Sequence, residues 1–138
     1  MEQIPNWFYR TSAKALILNN EKKFLLAREE KWWELPWWGL EFWEKPQEGI
    51  KRELAEEMGI IVKDVKENPS YFLTAQKKNW VWIANIIYET TIDLNDLLNF
   101  KPSDECLEVK FFDVEQAKKE ELFPNVQEFI KIFDPNNH

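Results

Sequence analysis

Glycine is scarce in this chain. Three of its 138 residues are glycine, where ordinary usage would supply about ten. Cysteine is scarcer still. A single Cys106 excludes an internal disulfide and a cysteine-rich zinc site, and it favours a reducing, cytoplasmic setting. The one histidine, His138, leaves no Ser–His or Cys–His nucleophile system. No apolar run approaches the roughly 18 residues of a membrane span. Met1-Glu2-Gln3-Ile4-Pro5 has neither the basic nor the apolar part of a secretion signal, so no membrane partner is expected. Positive charge is in deficit: 18 bases against 25 acids, net −7. That balance argues against a direct grip on nucleic-acid backbone. Phosphate can still be bound through a metal, because carboxylates recruit cations.

What is present is a soluble, globular composition: 44% hydrophobic and 31% charged residues, with a length that fits one domain over 1–138. Tryptophan is abundant, at eight residues. No repeat or linker divides the chain. Ala13 to Leu18 reads as a strand, Asn19-Asn20-Glu21-Lys22 as a turn in which Asn takes positive φ, and Phe24 to Arg28 as the return strand of a hairpin. Trp33 to Leu35 is a short strand ended by Pro36. Tyr71 to Ala75 and Trp80 to Thr90 are longer strands around a turn at 76–79, and Val109 to Val114 is another. Glu115 to Leu122 reads as a short helix, and Asn125 to Phe133 as a terminal helix with Val126, Phe129, Ile130 and Phe133 on one side. The pattern predicts an α/β domain, a mixed sheet with helices on its faces.

The clearest helix opens at Pro46, where a missing N–H costs nothing, and closes at Gly59. Ile50, Leu54 and Met58 form one apolar stripe. On a helical wheel with Ile50 at zero, Glu53, Glu56 and Glu57 fall within a sector about 100° wide beside that stripe. Glu57 lies at its edge and is expected to be half-buried. Like charges at these spacings repel. Oxygen-only ligands answer that repulsion with a hard cation, Mg2+ or Mn2+, that also bridges to phosphates. Seen alone, an acidic helix face reads first as a solvated surface partly neutralised by Lys51 and Arg52.

The wider spacing decides between these. Glu44, then seven residues, then Arg52-Glu53-Leu54-Ala55-Glu56-Glu57-Met58-Gly59-Ile60 resembles the Nudix box, Gly-x5-Glu-x7-Arg-Glu-U-x-Glu-Glu-x-Gly-U, at eight of its nine specified positions. The lead-in Trp33-Glu34-Leu35-Pro36 and the stretch Gly39-Leu40-Glu41 are similar to the family as well. The resemblance implies a Nudix fold, an α/β/α sandwich around a mixed β-sheet. It also implies hydrolysis of the pyrophosphate bond of a nucleoside diphosphate derivative, or of a modified nucleoside triphosphate, with Mg2+ or Mn2+ as cofactor. Carried over, Glu53, Glu56 and Glu57 hold the metal together with the main-chain carbonyl of Trp38. Arg52 orients the carboxylates and Glu44 supports the loop. Glu53, Glu57 and a downstream Glu105 are the candidate catalytic residues, with Glu108 in reserve. Arg28 and Trp82 are the candidate substrate-binding residues, Trp82 as a surface for a base. The implied partner is a small nucleotide, bound by a monomer or homodimer.

The mismatched box position is Trp38, where the family has glycine. Trp37 and Trp43 also stand where glycine is common, Trp80 follows Asn79 in a turn that favours Asn-Gly, and Trp32 is a further candidate. Four tryptophans at four glycine places, in a chain short of glycine by about that number, suggest one cause: UGA codons read as glycine in the source and written here as tryptophan. If the tryptophans are genuine, the remodelled loop implies a catalytically weak or inactive Nudix-fold nucleotide-binding module.

Overall fold

The computed structural model describes residues 9–39, 44–77 and 79–138, the side chains of 37–39 excepted. Two sheets make the middle of the molecule. The larger contains β1 (Tyr9–Leu16), β4 (Trp37–Gly39), β5 (Val62–Val65), β6 (Tyr71–Gln76) and β7 (Trp82–Ile92). It runs β4-β1-β7, with β5 and β6 both pairing along the far edge of β7. β1 and β7 are parallel, with Ser12 opposite Asn85, and the other pairings are antiparallel. The smaller sheet has the order β3-β2-β8, from Trp32–Glu34, Phe24–Glu29 and Glu108–Phe112.

The expected hairpin of 13–18 with 24–28 is corrected by this topology. The turn between them is present, closed by Asn19 N to Lys23 O (3.0 Å) and Leu25 N to Ile17 O (2.9 Å). Beyond it the two strands part, β1 into the larger sheet and β2 into the smaller. Both are buried on both faces, so each needs neighbours that a two-stranded ribbon does not supply. Positive φ in the turn falls on Lys22 (61°), not on an asparagine. Asn19 instead accepts from the amides of Glu21 and Lys23 through Oδ1.

Helix α1 (Pro46–Met58) begins with proline in its first turn and ends on Gly59 at φ 64°. Its buried stripe is Ile50, Leu54 and Met58, as the spacing predicts. Helix α2 is only Val114–Ala117, closed by an Asp113–Gln116 capping box, and the expected continuation to Leu122 is absent. There the chain leaves the helix, and Leu122 bridges to Trp33. Helix α3 (Pro124–Ile132) follows. Strand β4, strand β5 and a 3-10 turn at Leu94–Asn99 are elements that the sequence reading left out. Trp80 lies before β7, in the turn.

Strand alternation sorts the apolar side chains into two cores. Ala13, Ala15, Ile17 and Leu25 pack with Ile50, Leu54 and Met58 of α1. Leu16, Phe24, Leu26, Trp33 and Ile87 pack with Val126, Phe129 and Phe133 at the other side. The result is two helical layers around strands. Leu35 and Pro36 carry the chain from β3 of the small sheet to β4 of the large one. Leu35 is buried, and Ala15 N donates to Pro36 O (2.8 Å).

Candidate active site

The acids of α1 divide into two groups. Arg52 holds the first. Its Nε and one terminal nitrogen bind both oxygens of Glu44 at 2.7 and 3.0 Å, and its other terminal nitrogen reaches Glu53 at 2.7 Å and Glu56 at 3.3 Å. This two-pronged pairing with Glu44 uses the guanidinium fork, a geometry lysine lacks. These contacts push the Arg52 pKa upward, through hydrogen bonds to Glu44 first and then Glu53. Glu44 and Glu53 are largely buried, whereas Glu56 is exposed.

Glu57 is the second group. One helical turn beyond Glu53, it lines an open cleft of about 250 Å3 together with Leu35, Pro36, Glu105 and Cys106. Glu105 lies near enough across the cleft to act on the Glu57 carboxyl. Burial raises the Glu57 pKa above the usual carboxylate range; the hydrogen bond and charge of Glu105 add to this, and the charges of Glu53 and Glu56 follow. Glu57 is half-buried, as the wheel placed it. Cys106 is buried with its thiol pushed up to about 11 by burial and by Glu57, so it is no thiolate near neutrality. Among the described residues, no three His, Cys, Asp or Glu side chains are gathered tightly enough to cage a metal ion unaided. The donor set still suits one. Two facing carboxylates with a third and fourth nearby form an all-oxygen, like-charged group that a hard cation would relieve.

The remaining candidates are scattered. Arg28 pairs with Glu108 (3.1 Å) and donates to Glu30 O, on the β2 face opposite the Ala27 and Glu29 side that meets the cleft. Glu108 is thereby engaged away from Glu57. Trp82 is half-exposed against Tyr9, with ring centroids 6.1 Å apart. Trp37 and Trp38 lie in β4, antiparallel to β1, so their backbone is extended strand. Trp43 lies outside the described residues. Trp32 takes no positive φ; its ring lies tilted against Phe123 with centroids 6.0 Å apart and the Lys31 ammonium 5.1 Å from its ring.

One polar group was missed in the sequence. Lys14 is buried and pairs with Glu34 at 3.4 Å. Glu34 Oε1 also accepts from Asn125 Nδ2 (2.6 Å) and Leu35 N (3.0 Å). Burial lowers the Lys14 pKa to about 8 against the opposing pull of Glu34, and burial likewise raises that of Glu34. The available signal was a lysine inside the apolar run Ala13-Lys14-Ala15-Leu16, in a strand whose two faces are both covered.

Comparisons with known proteins bear on the family and the fold. The NUDIX domain family model matches residues 8–133, and the chain belongs to the Nudix family. A MutT protein from Methanosarcina mazei Go1 superposes with a TM-score of 0.72 at 25% identity, covering 94% of this chain and 95% of that one. A MutT NUDIX hydrolase from Burkholderia pseudomallei gives 0.72 at 15% identity, covering 92% and 99%. An RNA pyrophosphohydrolase from Proteus mirabilis (strain HI4320) is 33% identical over 75 residues. That match covers 53% of this chain and 39% of the relative's length.

Proposed function

We propose that this chain hydrolyses the pyrophosphate bond of a nucleoside diphosphate derivative, with a divalent cation held at Glu57, Glu105, Glu53 and Glu56. The observation that carries this reading is the Glu57–Glu105 pair facing one cleft beside an arginine-braced acidic cluster. Arg52 fixes the orientations of Glu44, Glu53 and Glu56 before a ligand arrives, so little reorganisation is needed on binding. Glu57 and Glu105, which face the cleft, are the carboxylates placed to accept a proton from attacking water. Leu35 and Pro36 form an apolar part of the cleft wall. When bound, the cation supplies charge neutralisation on phosphate and acidifies water. The net charge of −7 favours a free nucleotide over a polynucleotide, although the Proteus relative is named for RNA. A cytoplasmic setting accords with the lone buried cysteine.

The test is release of phosphate or pyrophosphate from a panel of nucleoside triphosphates and nucleotide diphosphate conjugates, with Mg2+, with Mn2+ and with chelator. Cation-dependent turnover that falls by orders of magnitude in Glu57→Gln is expected. Turnover unaffected by chelator or by that substitution would overturn the reading.

A further inference from the structure

Strand β6 pairs with β7 along one edge. The adjoining turn sets its hydrogen-bonding phase. Lys77 N donates to Val81 O (2.9 Å), so 77 and 81 face each other as a bonded pair. Counting back by twos, Ala75, Leu73 and Tyr71 turn their backbone groups toward Ile83, Asn85 and Ile87. Phe72, Thr74 and Gln76 turn theirs outward. Among the described residues, nothing bonds the outward amides and carbonyls of these three. Native sheets guard such an edge with charge, proline, a bulge or a cover. The end strands β3, β5 and β8 follow that rule. Residues 121–123 cover β3, with Trp33 N on Glu121 O (2.9 Å) and Phe123 N on Trp33 O (3.1 Å). β5 carries Lys63, Asp64 and a shift of register, and β8 carries Glu108 and Lys110. β6 has none of these. It lies in an uncharged run, Asn68 to Gln76, of a chain that is 31% charged, and its register with β7 is regular. Phe72 is 62% exposed on one face of the strand. On the other face α3 packs over Leu73 and Ala75 and adds a second exposed apolar residue, Ile132.

We propose that β6 is a dimerisation edge: two copies of this chain join β6 to β6, antiparallel about a two-fold axis at Thr74, and fuse their larger sheets into one. The edge is self-complementary in that register. Phe72 of one copy meets Gln76 of the other, and Thr74 meets Thr74. Every outward residue is then matched with an outward residue, and each pair exchanges two N–H···O bonds. Charge selects a second copy as the occupant. Each copy carries a net charge of −7, so two copies repel over most of their surface and meet at least cost along an uncharged run. A basic partner would find no acid on this strand. The paired edge is about 17 Å long. Alone it falls short of the roughly 800 Å2 per partner of a standard interface. The contact therefore also draws on Phe72 and Ile132, and the dimer forms at micromolar concentrations and above. Salt screens the repulsion and strengthens it.

Sedimentation of the full chain from about 1 to about 500 µM, at low and at moderate salt, tests the association. A rise from the mass of one chain to that of two, at lower concentration in the higher salt, is expected. Amide hydrogen exchange by NMR at both ends of that range reads the edge residue by residue. The amides of Phe72, Thr74 and Gln76 should slow by at least about tenfold in the dimer, while those of Leu73 and Ala75 are protected at both concentrations. Thr74→Pro removes an outward N–H and no bond to β7, so it should leave the fold intact and abolish the dimer. If Thr74→Pro does not fold, Phe72→Lys serves: it places a charge on an exposed edge position and should weaken association by at least about tenfold. The mass of one chain at every concentration would overturn the proposal. So would a dimer that persists in a folded variant, or new protection that falls on another strand and spares the alternate amides of β6.

Discussion

Trp80 is held at φ 68° in the turn before β7, where Trp80 N donates to Lys77 O and Lys77 N to Val81 O, and its side chain is 80% exposed. The indole gains little there, while the left-handed backbone costs a side-chain-bearing residue about 1–2 kcal/mol. Trp80→Gly is therefore expected to stabilise the fold by about 1 kcal/mol, read as a higher urea midpoint at unchanged slope. The glycine preference at 80 was legible because Asn79 precedes it. At Trp32, which packs against Phe123 in an ordinary strand, the backbone takes no positive φ. Positive φ at Lys22 and Glu30 was not legible: hydrogen-bond closure of the 19–23 turn sets the first, and the two-residue connection between the paired Glu29 and Trp32 sets the second. Lys14 gives a second prediction at this scale. Its folded pKa of about 8 lies below the unfolded value of 10.5. Between those values the unfolded chain holds more protons, so stability from this group rises with pH across the window, by on the order of 1–3 kcal/mol. Urea unfolding at steps from pH 7 to 10 should show that rise, and the slope should shrink in a Lys14→Met, Glu34→Gln double variant.

At the scale of elements, α1 was the most legible part of the molecule. Its ends are written by Pro46 and Gly59, and its buried stripe by the i, i+4, i+8 spacing of Ile50, Leu54 and Met58. Adjacent carboxylates were legible as one helix sector. Their division between Arg52 and Glu105 was not, because the division depends on a loop residue from far along the chain. Strand partners were the least legible feature. A local turn at 19–23 is fully compatible with strands that separate afterwards, and apolar residues on both faces of β1 and β2 do not name their neighbours. The Arg52 cluster yields a prediction here. Arg52→Lys keeps the charge but loses the fork that binds both oxygens of Glu44 while reaching Glu53 and Glu56. Catalytic efficiency is expected to fall by about tenfold or more, with an altered Mg2+ concentration for half-maximal rate.

For the whole molecule, the acidic cluster is a repulsive feature that folding has to hold together. Any cation bound there in the native state alone adds stability by mass action. Millimolar Mg2+ or Mn2+ is expected to raise the melting temperature of the wild-type chain and to do so much less in Glu57→Gln. An equal shift in both would place the cation elsewhere.

The passage of the chain at Leu35 and Pro36 has a mechanical consequence. The residue just before it, Glu34, is gripped by Lys14 from the large sheet and by Asn125 from α3, while Pro36 O is tied to Ala15. The crossover behaves as a rivet through three layers. Neither sheet can swing open without shearing it, so the amides of β1, β3 and the start of α3 should exchange with deuterium as one cooperative unit, slower than the ends of β6 and β7 that flank the Trp80 turn. Withdrawing the rivet by Glu34→Gln should let the two sheets exchange at separate rates.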